Sequence, residues 1–172
     1  MIALLAIALL IAIPSMANRI AEHRGDAAIQ HIAALLSYAR LEAQLRGDAV
    51  TLCTTDRDGS CQRFWNTTST IRVFLDTNGN RRFDPGEEVL RQLRWPMKDG
   101  TLEWRASFAR HFIAFEPDGG TWQNGTLLYC PASGDSRHAR ALVLGQSGRA
   151  YLSGDRDGDG VHEDRQGTPL DC

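Results

Sequence analysis

From Met1 to Pro14 the chain carries no charged or polar side chain, and it passes without a loop signal into a helical pattern that continues to Arg46. This apolar segment fused to an amphipathic helix constrains the fold more than any other feature. The uninterrupted run from Met1 to Ile13 falls short of the roughly 20 residues that a bilayer-spanning helix needs. Two readings fit the segment taken by itself. As a secretory signal it has a suitable apolar length and a small-x-small site, Ser15-Met16-Ala17, but no Lys or Arg precedes it. As a retained anchor it implies a natural start upstream of the recorded one. Pro14 suits an anchor, because membrane helices tolerate a kinking proline when neighbours repair the freed carbonyl.

The helical pattern that follows favours the anchor. Ile29, Ile32, Leu36, Ala39 and Ala43 recur at spacings of three and four and form one narrow apolar stripe. Arg40, Glu42, Gln44 and Arg46 fall off the stripe, and Gly47 supplies a stop. Gly25 is the weak point of the pattern and predicts a bend or local unwinding. From Ala49 onward, short runs separated by turn chemistry predict strands. These are Val50 to Thr54, Thr70 to Asp76, Glu88 to Leu93, Thr101 to Trp104, His111 to Phe115, Thr126 to Cys130, Ala139 to Leu144 and Arg149 to Ser153. The second and third read as the arms of a long hairpin around a polar loop. One long helix packed on antiparallel β-sheet, an α+β domain, is the expected architecture.

At 172 residues, the part after Gly47 is long enough for one small core. A net charge of −2 argues against a generally basic, nucleic-acid-coating surface. Cys53, Cys61, Cys130 and Cys172 form no C-x-x-C pair, which disfavours zinc, and an even count in an exported chain favours disulfides. Locality suggests Cys53–Cys61 around a short turn and Cys130–Cys172 tethering the tail.

Two acidic loops carry the most specific chemistry. Asp155, Asp157 and Asp159 occupy positions one, three and five of a calcium-loop pattern, and Gly160 the turn position. Val161 falls at position seven and Glu163 at nine, but position twelve is Gln166, so Asp164 is the substitute if the loop is irregular. The second loop starts at Asp76-Thr77-Asn78-Gly79-Asn80 and places Asp84 and Glu87 at nine and twelve. Its sixth residue is Arg81, where such a loop needs glycine. Both loops also read as metal-free Asx turns held by side-chain-to-backbone bonds. No catalytic constellation accompanies them. His23, His31, His111, His138 and His162 are scattered, and Trp65, Trp95, Trp104 and Trp122 read as core or interface anchors.

Short motifs recur in order along the whole chain: Ala12-Ile13-Pro14-Ser15, Tyr38-Ala39-Arg40, Glu42-Ala43, Arg46-Gly47 and Val50-Thr51-Leu52-Cys53. Val73-Phe74-Leu75-Asp76, Asn78-Gly79-Asn80 and Gly86-Glu87-Glu88-Val89-Leu90 follow. Phe115, Pro117 and Gly119, then Gly125-Thr126-Leu127 with Cys130, and Ser147-Gly148-Arg149 complete the series. The chain thereby resembles the GspH/FimT-type minor pilins, minor subunits of type IV pili and type II secretion pseudopili. The departure is at the front. The family's mature proteins begin with a methylated Phe and a Thr-Leu-Ile-Glu-Leu-Leu type run that carries the docking glutamate. The recorded sequence starts downstream of that run and of the leader. A misassigned start codon is the expectation, with a degenerate, unprocessed copy as the alternative.

The resemblance implies a pilin-like fold and a structural, non-enzymatic subunit, assembled with other major and minor pilins or pseudopilins. It implies a division into a membrane anchor (1–17), the amphipathic part of the same helix (18–47) and a β-rich head (48–172). The anchor would sit in the bacterial inner membrane and the head in the periplasm, with assembly at or near a fibre tip. The alternative is a FimT-like DNA-binding minor pilin acting in DNA uptake through a Gly-Arg-x-Arg stretch. Here that stretch reads Gly148-Arg149-Ala150-Tyr151, leaving Arg149, with Arg137 and Arg140 joining it if the intervening strands form a hairpin. The acidic tail opposes phosphate. Calcium at Asp155, Asp157, Asp159, Val161 and Glu163 is the one cofactor the residues suggest.

Overall fold

The computed structural model describes residues 2–56, 58–62, 64–65, 70–94, 100–107 and 110–172, with helix side chains described at Met16 and from Arg19 onward. Trp95 lies outside the described residues. Helix α1 (Ile2–Arg46) is a single element. It closes at Gly47, whose positive φ of 67° suits a glycine C-cap and whose N–H reaches the Ala43 carbonyl at 3.0 Å. Among the described residues no helix is long and apolar enough to cross a membrane.

The helix does not unwind at Gly25, since α1 continues through it. The glycine serves close approach instead. A Cβ there would lie 2.9 Å from the His138 carbonyl oxygen and 3.4 Å from the Tyr129 ring. The predicted stripe is the buried face: Ile29, Ile32, Leu36, Ala39 and Ala43 are joined by Ala28 and Leu35. Burying each Ile or Leu of that stripe contributes about 1.5–3 kcal/mol.

Ten strands follow: β1 (Val50–Thr55), β2 (Cys61–Gln62), β3 (Phe64–Trp65), β4 (Thr70–Leu75) and β5 (Val89–Arg94), then β6 (Gly100–Ala106), β7 (Ile113–Phe115), β8 (Gly125–Pro131), β9 (Arg140–Leu144) and β10 (Ala150–Leu152). Each of the eight predicted strands is present. The unpredicted ones, β2 and β3, are two residues long, too short to show alternation. All pairings are antiparallel. One sheet runs β2-β1-β4-β5 with β7 also on β1, and the other runs β10-β9-β8-β6-β3.

Both sheets turn their apolar residues toward α1. Val50, Leu52, Ile71, Val73, Ile113 and Phe115 come from the first sheet. Leu102, Trp104, Leu127, Tyr129, Leu142 and Leu144 come from the second, with Trp65 of β3. Strand β6 shows the period of two plainly, with Gly100, Leu102 and Trp104 buried between more exposed neighbours. Strand β9 is buried at every position. The tail after β10 explains its second face: Leu170 packs on Leu128, Ala139 and Ala141. The chain's last residue is held by the Cys130–Cys172 disulfide, with Cα atoms 5.6 Å apart, while Cys53–Cys61 spans the Asp56–Ser60 turn at 5.5 Å.

A buried cation locks helix to head. Arg140 is 4% exposed, and its Nε donates to Asp26 Oδ1 of α1 at 2.6 Å. Its Nη1 donates to the carbonyls of Arg137 and Ala139, and its Nη2 lies 3.6 Å from Glu22. Arg140→Ala strands Asp26 and two carbonyls, so about 2–3 kcal/mol of stability should be lost in chemical denaturation. Arg149→Ala, a surface change, should stay within about 0.5 kcal/mol. Replacing Cys130 and Cys172 together by Ser removes a cross-link spanning 42 residues, worth about 3–4 kcal/mol by chain entropy. Thermal melts should fall by about 8–15 °C; unchanged melting would mean that the tail is held without the bond.

Candidate functional site

The acidic tail is the chain's most densely charged surface feature, and backbone pairing fixes it. Ser153 N–H donates to the Ala141 carbonyl, and Ser153 Oγ accepts the Ala141 N–H at 2.9 Å. Isolated bridges then join Gly154 to Glu163 and Glu163 to Pro169. Between them the chain turns through Asx-type bonds. Asp155 accepts Gly158 N–H on one oxygen (2.7 Å) and Gly160 N–H on the other (3.0 Å). Asp159 accepts the Val161 N–H at 2.7 Å, and Asp157 accepts the Asp159 N–H at 3.2 Å.

This turn gathers Asp155, Asp157, Asp159 and Glu163, each with one ligand oxygen within 4.8 Å of the others. The three aspartates are exposed, whereas Glu163 is 4% exposed. Its Oε2 accepts the Arg156 N–H at 2.7 Å, and its Oε1 is buried without a hydrogen-bond partner. Asp164, the expected substitute for the missing twelfth ligand, stays out of the cluster. Its Oδ1 accepts the N–H groups of Gln166 and Thr168 and closes the next turn. His162 Nδ1 faces Ser153 Oγ at 3.1 Å rather than Asp164, which ties the tail to β9.

The Asp76 loop resolves its charge differently. Asp76 Oδ2 accepts the Thr51 hydroxyl (2.9 Å), the Arg81 N–H (3.1 Å) and Arg81 Nη1 (3.1 Å). Arg81 Nη2 continues to Glu116 at 2.8 Å. Arg81 adopts the left-handed φ of 64° that glycine would supply, and its guanidinium neutralises the carboxylates from within. Asn78 and Asn80 donate to Asp84 Oδ2 at 2.9 and 2.6 Å, holding its carboxyl below the usual range. Burial pushes Glu87 up. This loop carries its own cation.

The three arginines considered for DNA do not form a patch. Strands β9 and β10 do pair as a hairpin, with Leu144 opposite Ala150 and Leu142 opposite Leu152. That register puts Arg149 in the turn and Arg140 at the far end, about 16 Å away at about 3.3 Å per residue. Arg140 is also buried in its lock with Asp26. Arg137 is exposed, but its guanidinium is engaged on both oxygens of Asp135, at 3.0 and 2.7 Å. That contact lowers the Asp135 carboxyl to about 2. Arg149 remains exposed beside a groove of about 410 Å³ between α1 and its own turn. Sequence reasoning missed the Arg140 lock, although strand parity signals it: Arg140 shares the inward side of β9 with Leu142 and Leu144.

The other end of the head carries a second unforeseen feature. Trp65 and Trp104 are core residues, but Trp122 is 77% exposed and lines a cavity of about 540 Å³ with Glu116, Pro117, Asp118, Thr121 and Gln146. Helix α1 braces this region: Arg40 Nε donates to the Gly119 carbonyl at 2.8 Å, and Gln44 Nε2 to that of Asp118 at 3.2 Å. Gly148 packs so tightly on the Gly119 carbonyl that a side chain has no room.

Comparison with known proteins agrees with this geometry. No curated protein matches the sequence. Two crystal forms of the type IV minor pilin FimU from Pseudomonas aeruginosa share the fold. One aligns with a TM-score of 0.56 at 19% identity over 77% of this chain and 90% of FimU. The other gives 0.54 at 19% identity over 75% and 92%. The family model of the type II transport protein GspH matches residues 28–148, from the buried stripe of α1 to the β9–β10 turn and short of the acidic tail. The chain belongs to the GspH family.

Proposed function

We infer that the chain is a minor pilin or pseudopilin subunit, a structural component of a type IV pilus or type II secretion pseudopilus. Residues 1–17 form its inner-membrane anchor, residues 18–47 carry the same helix into the fibre, and residues 48–172 are the periplasmic head. Its partners are other major and minor pilins or pseudopilins, and its place is near the fibre tip. One observation carries this reading. Helix α1 runs from Ile2, and the first buried position among its described side chains is Gly25, about 35 Å along the helix at about 1.5 Å per residue. The leading part of that stretch, Met1 to Ile13, is wholly apolar in sequence.

A folded head has no need of such an extension, whereas a filament of helices packed side by side does. The outward side of α1 supports this, since Ile20, Leu41 and Leu45 are 49%, 51% and 72% exposed. Apolar residues held in water along a helix suit contact with neighbouring subunits. The family's DNA-binding alternative finds little support in the charge distribution. Arg149 by itself neutralises about one phosphate, and useful affinity at physiological salt takes several such contacts.

Expressed in its native host, the protein should remain in the membrane fraction through a carbonate wash until it is assembled. A soluble periplasmic form beginning at Asn18 would overturn the anchor. The full chain should give no gel shift with DNA near physiological salt, about 150 mM. A micromolar shift lost on Arg149→Ala would instead promote DNA uptake over a purely structural role.

A further inference from the structure

The acidic tail leaves one electrostatic problem unsolved. Four carboxylates converge within 4.8 Å, and among the described residues no salt bridge reaches any of them. The Asp76 loop differs in having a cation, because there Arg81 pairs with Asp76 and Glu116, although Asp76 Oδ1 and Glu87 Oε1 are also buried without a hydrogen-bond partner. In the tail, Arg156 contributes only its backbone N–H, to Glu163 Oε2.

The Asx bonds of the turn do not identify a ligand, since such turns hold themselves together without one. Glu163 does. It is 4% exposed, and bridges to Gly154 and Pro169 pin its backbone on both sides. Its Oε1 is buried and unpartnered, and the residue contributes a carboxylate oxygen to the convergent set. A buried carboxylate with one oxygen lacking a donor is costly, and a cation held by Glu163 and the three aspartates offsets that cost.

The donors select the ion. All four side chains offer carboxylate oxygen and none offers nitrogen or sulfur, which favours a hard cation. Every pair of ligand oxygens lies within 4.8 Å, close enough for all four to reach one calcium ion at about 2.3–2.6 Å. Magnesium, at about 2.0–2.1 Å, requires a tighter and near-octahedral set. We propose that Asp155, Asp157, Asp159 and Glu163 form a calcium site in the C-terminal tail, with the Val161 carbonyl as a further oxygen ligand. The ion clamps the start of the tail as the Cys130–Cys172 bond secures its end. Leu170 is thereby kept on Leu128, Ala139 and Ala141 over the outer face of β9.

The test uses the full chain in detergent, with calcium as the probe. Affinity in the 10⁻⁴–10⁻³ M range of extracellular modules means that about 10 mM calcium should raise the melting temperature by about 3–10 °C over chelator. Magnesium at the same concentration should give a clearly smaller shift. Glu163→Gln keeps the shape and removes the charge, and should abolish the calcium response. Asp157→Asn at an exposed position should do the same and stands in if Glu163→Gln does not fold. Hydrogen exchange should slow at residues 154–164 on adding calcium to the unmodified protein. Identical melting in calcium and chelator, a shift that survives both substitutions, or an equal response to magnesium would overturn the proposal.

Discussion

Everything in this molecule depends on one apolar stripe. A helix and two five-stranded sheets can share a core only if the helix offers small and medium side chains on a narrow line, and α1 does so. Ala28, Ala39 and Ala43 let the sheets approach, while Ile29, Ile32, Leu35 and Leu36 fill the volume between them. An isolated helix gains little from propensity alone and takes most of its stability from such a face. The sheets depend on it equally, because without α1 the inward rows of β1, β4, β8 and β9 would be wet. Polar contacts then fix where the helix sits along its axis. At one end Gly25 allows contact with His138 and Arg140 grips Asp26; at the other Arg40 and Gln44 hold the 116–120 loop.

Much of this was legible in the chain because the signals are local. The stripe is a matter of spacing, and every five- to seven-residue strand declared itself by flanking turn chemistry. What escaped was set by distant partners. Strands β2 and β3 exist because β1 and β6 offer them an edge, not because two residues carry a pattern. Gly25 looked like a helix breaker, since sequence shows the propensity cost but not the carbonyl of His138 more than a hundred positions away. Arg140, a candidate DNA contact by sequence, shares the strand parity of Leu142 and Leu144 and is buried with them.

The two acidic loops show how far spelling can mislead. Both present Asx residues at alternate positions, and local reading separates them by position six, Gly160 against Arg81, and position twelve, Gln166 against Glu87. The residue at position six decided the matter in an unexpected way. Arg81 accepts the left-handed backbone because its guanidinium gains Asp76 and Glu116, so the misfit in the motif is the loop's internal counter-ion. In the tail, glycine keeps position six, and among the described residues the cluster is met by backbone N–H groups and by no salt bridge. The burial of Glu163 could not be foreseen from the loop, because it follows from the tail folding back over β9.

The same accounting of charge bears on function. Nineteen Lys and Arg against twenty-one Asp and Glu leave room for a basic face if the cations gather on one side. They do not gather here. Arg40 is given to a loop carbonyl, Arg81 to two carboxylates, Arg137 to Asp135 and Arg140 to the helix. Arg40, Arg81 and Arg140 each hold one part of the fold to another, and Arg137 is engaged locally by Asp135, so none reaches a phosphate without giving up a contact. The outward-facing resource of the molecule is apolar: Ile20, Leu41 and Leu45 on α1, and Trp122 at the far end of the head. With these four arginines engaged, exposed apolar side chains of this kind suit contact with other protein.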